Sequence, residues 1–311
     1  MSMDLGLAWT DRSDRERLVI SGPDRAKFLH NLCTNDVKRL AVGSGCEAFV
    51  TSPQGRTLGL ITILAREGSL LILADPGGLE FILPHFEKYG VFDDVAFKDE
   101  GESTYEIHVA GEQSPAWLTL LGAPSPGDRG FDHVSASLGG KFEVIARESP
   151  LGMPGFTLIG PLGNRPYLLA GLDRGPLAGD ALEGLRVEAG TPRFGRDFTV
   201  ENLPQEIGRD SSAISFVKGC YLGQETVARL DALGHVNKIL RGLDVRTGRV
   251  PEPGTPITVG GQPAGVVTSS GRSPRCDRGV ALAMVRVKPA PVGAIVAWEG
   301  GEGEVVDRRT H

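Results

Sequence analysis

Residues 218 to 225 read KGCYLGQE, an octapeptide in which a cysteine stands between two glycines and two positions after a lysine. Gly219 and Gly223 permit a close backbone approach and a turn, and GQETVARL then has the composition of a helix beginning. Gln224 and Glu225 fall in its first turn, where the helix dipole favours an acid, and Glu225 with Arg229 makes a stabilising i,i+4 pair. Cys220 is therefore expected just outside a helix N-terminus with Lys218 beside it, a setting that draws a thiol pKa below its free value of ~8.5 and makes the thiolate reactive. The bland alternative is a small buried hydrophobe, the commoner fate of one cysteine. Tyr221 and Arg229 are candidates to shape the same site, against the equally ordinary roles of packed aromatic and solvated helix charge.

A second candidate lies in LEGLRVEAGTPRFGRD, where a helix holding Leu182, Leu185 and Arg186 is predicted to end at Gly190. Glu188 sits in its last turn. The negative end of the dipole makes a carboxylate unfavourable there unless a cation or hydrogen-bond donor faces it. Such a carboxylate suits the paired N–H donors of a flat heterocycle; a solvated surface acid is the competing reading.

The elements that position these residues show an internal echo. RLVISGPDRAKFLHNL (residues 17–32) and EIHVAGEQSPAWLTLL (residues 106–121) share one pattern, with Leu18, Ile20, Gly22, Phe28, Leu29 and Leu32 matched by Ile107, Val109, Gly111, Trp117, Leu118 and Leu121. Each copy alternates as a strand, turns at glycine and continues with helical spacing. Between them EAFVTS and TLGLITILA flank Pro53-Gln54-Gly55 as a hairpin, SLLILA forms another strand, and a helix is predicted over Gly77 to Tyr89 with Leu79, Ile82, Leu83 and Phe86 on one face. After about residue 236, GLDV, GTPITVGGQPAGVVTSSG, RGVALAMVRV and GAIVAWEGGEGEVVD are short β-type runs cut by Gly and Pro, which suits a small closed barrel. The predicted fold is α+β: two related antiparallel lobes, residues 1–100 and 101–237 and intertwined, followed by a C-terminal β-barrel from residue 238 to 311.

The chain has 311 residues, 40% hydrophobic and 23% charged, more than one core usually serves. A net charge of −6 argues against a nonspecific grip on nucleic acid. The N-terminus lacks the pattern of a secretory signal and no apolar run approaches the ~20 residues of a membrane helix, so a soluble, cytoplasmic protein is expected. Cys33, Cys46, Cys220 and Cys276 are too scattered for a disulfide framework and are expected as free thiols. No phosphate loop, H-E-x-x-H site or nucleophile elbow is present, and no metal site is expected.

KGCYLGQETVAR resembles the signature of the YgfZ family of folate-binding proteins, relatives of the glycine-cleavage T-protein (aminomethyltransferase). The resemblance covers nearly the whole chain: ISGPDRAKFLHNLCTNDVKRLAVGSG is similar to the family's opening strand and helix, LRVEAGTPRFGRD to its R-x-E-A-G-x-P stretch, and the tail to its C-terminal β domain. It implies two lobes and a barrel around a central folate site, tetrahydrofolate read by Glu188, and Cys220 as a reactive or ligand-exchanging thiol. Lys218, Tyr221 and Arg229 then help to form the folate site. It further implies iron-sulfur client or assembly proteins as partners, with indirect effects on tRNA modification. One departure stands out. Where aminomethyltransferases carry an acidic pair after a glycine turn, this chain reads Gly55-Arg56-Thr57-Leu58-Gly59-Leu60, and neither Gly59 nor Leu60 can handle a proton. The alternative is a folate-dependent one-carbon transferase or demethylase with another base, for which His30, Asp36 and His235 are candidates. A ligand-free protein-binding scaffold is a third reading.

Overall fold

The computed structural model describes residues 5–234 and 236–308, so His235 lies outside the described residues. The first lobe contains β2 (Glu16–Ser21), α1 (Arg25–Leu32), β3 (Gly45–Thr51), β4 (Thr57–Arg66), β5 (Ser69–Ala74), α2 (Leu79–Tyr89) and β6 (Ala96–Asp99), preceded by β1 (Ala8–Asp11). The second contains β7 (Thr104–Ala110), α3 (Ser114–Leu120), β8 (His133–Leu138), β9 (Lys141–Arg147), β10 (Gly155–Pro161) and α4 (Arg165–Ala170). Then come α5 (Gly179–Ala189), α6 (Asp210–Ala213) and α7 (Gln224–Leu233). The tail is β11 (Lys238–Gly248), β12 (Pro256–Val259), β13 (Gln262–Ser273), β14 (Arg278–Arg286), β15 (Ile295–Trp298) and β16 (Gly301–Val306).

Two five-stranded antiparallel sheets repeat one arrangement, with orders β3-β4-β5-β2-β6 and β8-β9-β10-β7-β1. The sequence echo is a structural one. β2–α1 and β7–α3 occupy equivalent places, and Gly22 and Gly111 take the same left-handed turn at φ 100° and 113°. A Cβ at either would lie 2.2 Å from the Asp94 carbonyl oxygen or 2.4 Å from that of Leu5, so only glycine fits. One outer strand is transferred between the lobes. β1 precedes the first lobe in sequence but pairs with β7 of the second, Ala8 opposite Ala110, while β6 precedes β7 and closes the first sheet against β2.

Packing follows the alternation of apolar side chains. Phe28, Leu29, Ile82 and Phe86 of α1 and α2 cover one face of the first sheet, and Trp117, Leu118 and Leu168 of α3 and α4 cover one face of the second. The opposite faces meet through Val19, Leu64, Leu71 and Leu73 on one side and Val144, Ala146 and Ile159 on the other. The order of layers is therefore helices, sheet, sheet, helices. The last six strands close into a barrel around Leu243, Ile257, Val267, Val285 and Val296, and α5 packs along β13. Among the described residues no helix is long and apolar enough to cross a membrane.

Candidate functional site

The exchange of β1 carries the turn Arg12–Arg15 from one sheet to the other, directly across the junction of the lobes. There it borders two adjoining chambers of about 480 and 410 Å³ that share Arg12, Arg15, Asp75, Pro150, Thr191 and Pro192. Volumes of this order hold small organic ligands. Leu60, Ile61 and Thr62 of β4, with Phe131, line the first chamber; Leu151, Leu182 and Arg193 belong to the second. No residue lining either chamber comes from the barrel, whose part is to back α5.

The charges of this cavity are held by partners behind them. Glu148, fully buried, accepts from Arg12 Nη1 at 3.0 Å and from the Thr157 hydroxyl at 2.6 Å. Burial pushes its carboxyl up, but Arg12, Arg15 and Thr157 outweigh that and bring it to about 2. Arg15 donates to buried Glu106 at 2.9 Å. Glu47 is bound by Arg209 and by the Ser212 hydroxyl at 2.9 Å. Behind Glu148 stands His108, completely buried, its Nδ1 3.0 Å from Thr157 Oγ1. Because the threonine hydroxyl gives its proton to Glu148, the hydrogen-bond network assigns the His108 proton to Nδ1. Nε2 is left buried without a partner, and burial first, then Arg12, depresses the imidazole to about 3.

None of the five residues singled out by sequence, Glu188, Lys218, Cys220, Tyr221 and Arg229, lines either chamber. Glu188 has the partners its position demands, but they are the chain's own: Ser273 donates to one oxygen and Arg275 lies 3.1 Å from the other. Burial raises its carboxyl, and these two groups more than reverse that, leaving it below the ordinary range.

Lys218 corrects the expectation that it sets the charge of Cys220. Its ammonium is buried and donates to the carbonyl oxygens of His30, Cys33 and Asn35 at 2.6, 2.7 and 2.8 Å, over the Tyr221 ring at 4.8 Å. The lysine thus satisfies the C-terminal end of α1, where orphan carbonyls and the dipole both call for a cation. The thiol beside that end is Cys33, buried and pushed up by desolvation. Cys220 itself is exposed, between exposed Val217 and the start of α7, and Arg229 is exposed on α7. The octapeptide glycine that matters is Gly223, at φ 83°, which meets the hairpin turn at Gly55; Thr51 Oγ1 donates to the Leu222 carbonyl at 2.6 Å. His30 and Asp36 pair with each other at 3.3 Å, likewise away from the chambers.

Sequence reading missed Arg12, Arg15, Asp75, Glu148 and Arg209. A signal for the first two existed in the run DRSDRER between two strands, too charged for an ordinary turn.

Residues 238–307 match the glycine cleavage T-protein C-terminal barrel domain. The chain is 30% identical over 300 residues to a putative chloroplastic transferase of Arabidopsis thaliana, covering 95% of this chain and 69% of that one. It is 28% identical over 296 residues to the aminomethyltransferase of Streptomyces avermitilis, covering 91% and 79%. Its fold is shared with the glycine cleavage system aminomethyltransferase T from Bartonella henselae, with a TM-score of 0.86 over 97% of this chain and 85% of that one at 20% identity.

Proposed function

The chain belongs to the glycine-cleavage T-protein superfamily, and from that premise we propose that it binds tetrahydrofolate in the two-chambered cavity and acts as a folate-dependent one-carbon transferase. The observation that carries this reading is the cavity itself. It lies where the transferred strand brings both lobes together, and it combines an apolar wall of Leu60, Ile61, Phe131 and Pro150 with carboxyl and guanidinium groups. A flat heterocycle with polar edges fits that wall. Leu60 faces the first chamber from the position that the family resemblance assigns to the acid, so the proton-handling group of the aminomethyltransferase reaction is not supplied from β4. A carboxylate already in the wall must take that part.

Anaerobic tetrahydrofolate titrated calorimetrically into the protein is expected to bind. A Leu60→Trp variant, confirmed to be folded, is expected to lose affinity by at least ~10-fold because the indole fills the first chamber, a contact loss worth one decade or more. Release of a one-carbon product from methyl or aminomethyl donors, dependent on added tetrahydrofolate, completes the test. A wild-type protein that binds no folate sinks the proposal.

A second reading, a tetrahydrofolate-binding YgfZ-type assistant to iron-sulfur cluster assembly or repair, is favoured by one observation. The Cys220 thiol is exposed beside exposed Phe216 and Val217 in a segment otherwise pinned at Lys218, Leu222 and Gly223. That reading predicts folate binding without turnover. It also predicts that Cys220→Ser, with folate affinity unchanged, fails to restore iron-sulfur enzyme activity in cells lacking the protein. Full restoration by the serine variant removes the thiol from the mechanism.

A further inference from the structure

Seven acids line the two chambers, and six are occupied or stand clear in solvent. Glu47 is held by Arg209 and Ser212, and Glu148 by Arg12 and Thr157. Asp128 is fully exposed at the rim beside Arg147. In the second chamber Asp11 is tied to Arg165 and the Ser13 N–H, Asp14 pairs with Arg193 at 2.6 Å, and Glu183 accepts from Nε and Nη2 of Arg186.

Asp75 differs. It immediately follows β5 and borders both chambers. Its Oδ2 accepts from the Phe194 N–H at 2.8 Å, which fixes the side chain. Its Oδ1 faces Arg15 Nε at 4.0 Å, beyond hydrogen-bonding distance. The result is an anchored carboxylate with an unused acceptor oxygen at the wall between two chambers. Such a group seeks N–H donors, and a 2-amino-4-oxo pyrimidine edge presents two of them side by side.

Resting on the folate reading above, we infer that Asp75, and not Glu188, is the carboxylate that receives the N–H donor edge of the bound pterin ring. Recognition then sits at the partition, with the ring against Leu60, Ile61 and Phe131 and the remainder of the ligand passing Arg15 toward Arg193. Glu188, satisfied by Ser273 and Arg275, has a structural role in joining α5 to the barrel.

The test is calorimetric titration with anaerobic tetrahydrofolate and with an analogue carrying a 2-methyl in place of the 2-amino group. Asp75→Asn keeps an oxygen for the Phe194 N–H but weakens the acceptor pair, and is expected to lower tetrahydrofolate affinity ~10- to 100-fold, the loss of a hydrogen bond to a charged group. The wild type is expected to bind the analogue more weakly by a similar factor, whereas Asp75→Asn distinguishes the two ligands little, which is the coupling of a direct contact. Glu188→Gln is expected to bind as the wild type does. The analogue measured on wild type alone keeps the inference testable if a variant misfolds. Equal binding of tetrahydrofolate by Asp75→Asn and wild type overturns the inference and leaves the folate reading intact. So does a loss confined to Glu188→Gln. Absence of wild-type binding overturns both.

Discussion

Lys218→Met will lose about 3 kcal/mol of folding stability in urea denaturation, the cost of leaving three buried carbonyl groups without their donor, less the desolvation that the ammonium no longer pays. Methionine fills the volume and lies well against the Tyr221 ring, so the loss reports the hydrogen bonds and not a void. The carbonyls are those of His30, Cys33 and Asn35, which end α1 and begin the segment bonded to α6 through Thr34 and Asn35. Fraying at that end will spread to both. Tetrahydrofolate affinity of the folded variant will stay near that of the wild type, because Lys218 does not line the cavity. A variant of full stability that fails to bind would return this lysine to the site.

The second large effect is on acid stability. His108 has its folded pKa lowered from 6.5 to about 3, so its neutral form is the one the fold accepts. Its contribution is complete above pH 6.5 and is lost as pH falls from 6.5 toward 3, at up to about 1.4 kcal/mol per pH unit. Glu148, lowered from 4.5 to about 2, acts with the same sign from pH 4.5 downward, where its contribution fades as the unfolded chain takes up the proton. His30, His85 and His133 are also depressed, chiefly by burial, and add to the slope. His108→Asn, which can keep a donor toward Thr157, will be less stable at pH 7.5 but will lose stability more slowly between pH 6.5 and 5, by about 1.4 kcal/mol per unit relative to wild type. Denaturation midpoints across that range check it; parallel slopes would place the titration elsewhere.

The elements that sequence revealed are those written in local periodicity. Alternation in EAFVTS and TLGLITILA with Pro53-Gln54-Gly55 between them suffices for a hairpin, and the spacing of Leu79, Ile82 and Phe86 suffices for α2. The echo of the two lobes was legible because Gly22 and Gly111 meet the same backbone obstruction. The pairing of β1 and β6 was not, since edge strands of four residues carry too little pattern to name their partners. The site escaped for the same reason. Its residues come from the turn after β1, from β3 and β4, from the residue after β5, from the segment before β8, from the end of β9 and the loop after it, from the loop after α5 and from in and beside α6, and only topology assembles them. A carboxylate at a helix C-terminus needs a partner, and Glu188 has one, but Arg275 lies 87 positions away, beyond the reach of any local pattern. Lys218 was legible as a charge, and what it served was the far end of α1.

The transfer of β1 to the second sheet also governs the order of events in folding. Ala8 waits for Ala110, so β1 remains without its partner until about one hundred further residues have been made. Closing so long a loop is entropically expensive and comes late, as non-local pairings do. The first sheet likewise stays open at its β2 edge until β6 arrives. The second lobe is thus completed by a strand that chain order places before the first, whereas the first is closed by β6, which directly follows its own helices. The turn Arg12–Arg15 reaches its final position only when β1 docks, so the cavity cannot form before that strand is in place. A ligand that binds there draws on the docked state alone, and its binding free energy adds directly to the grip between the lobes.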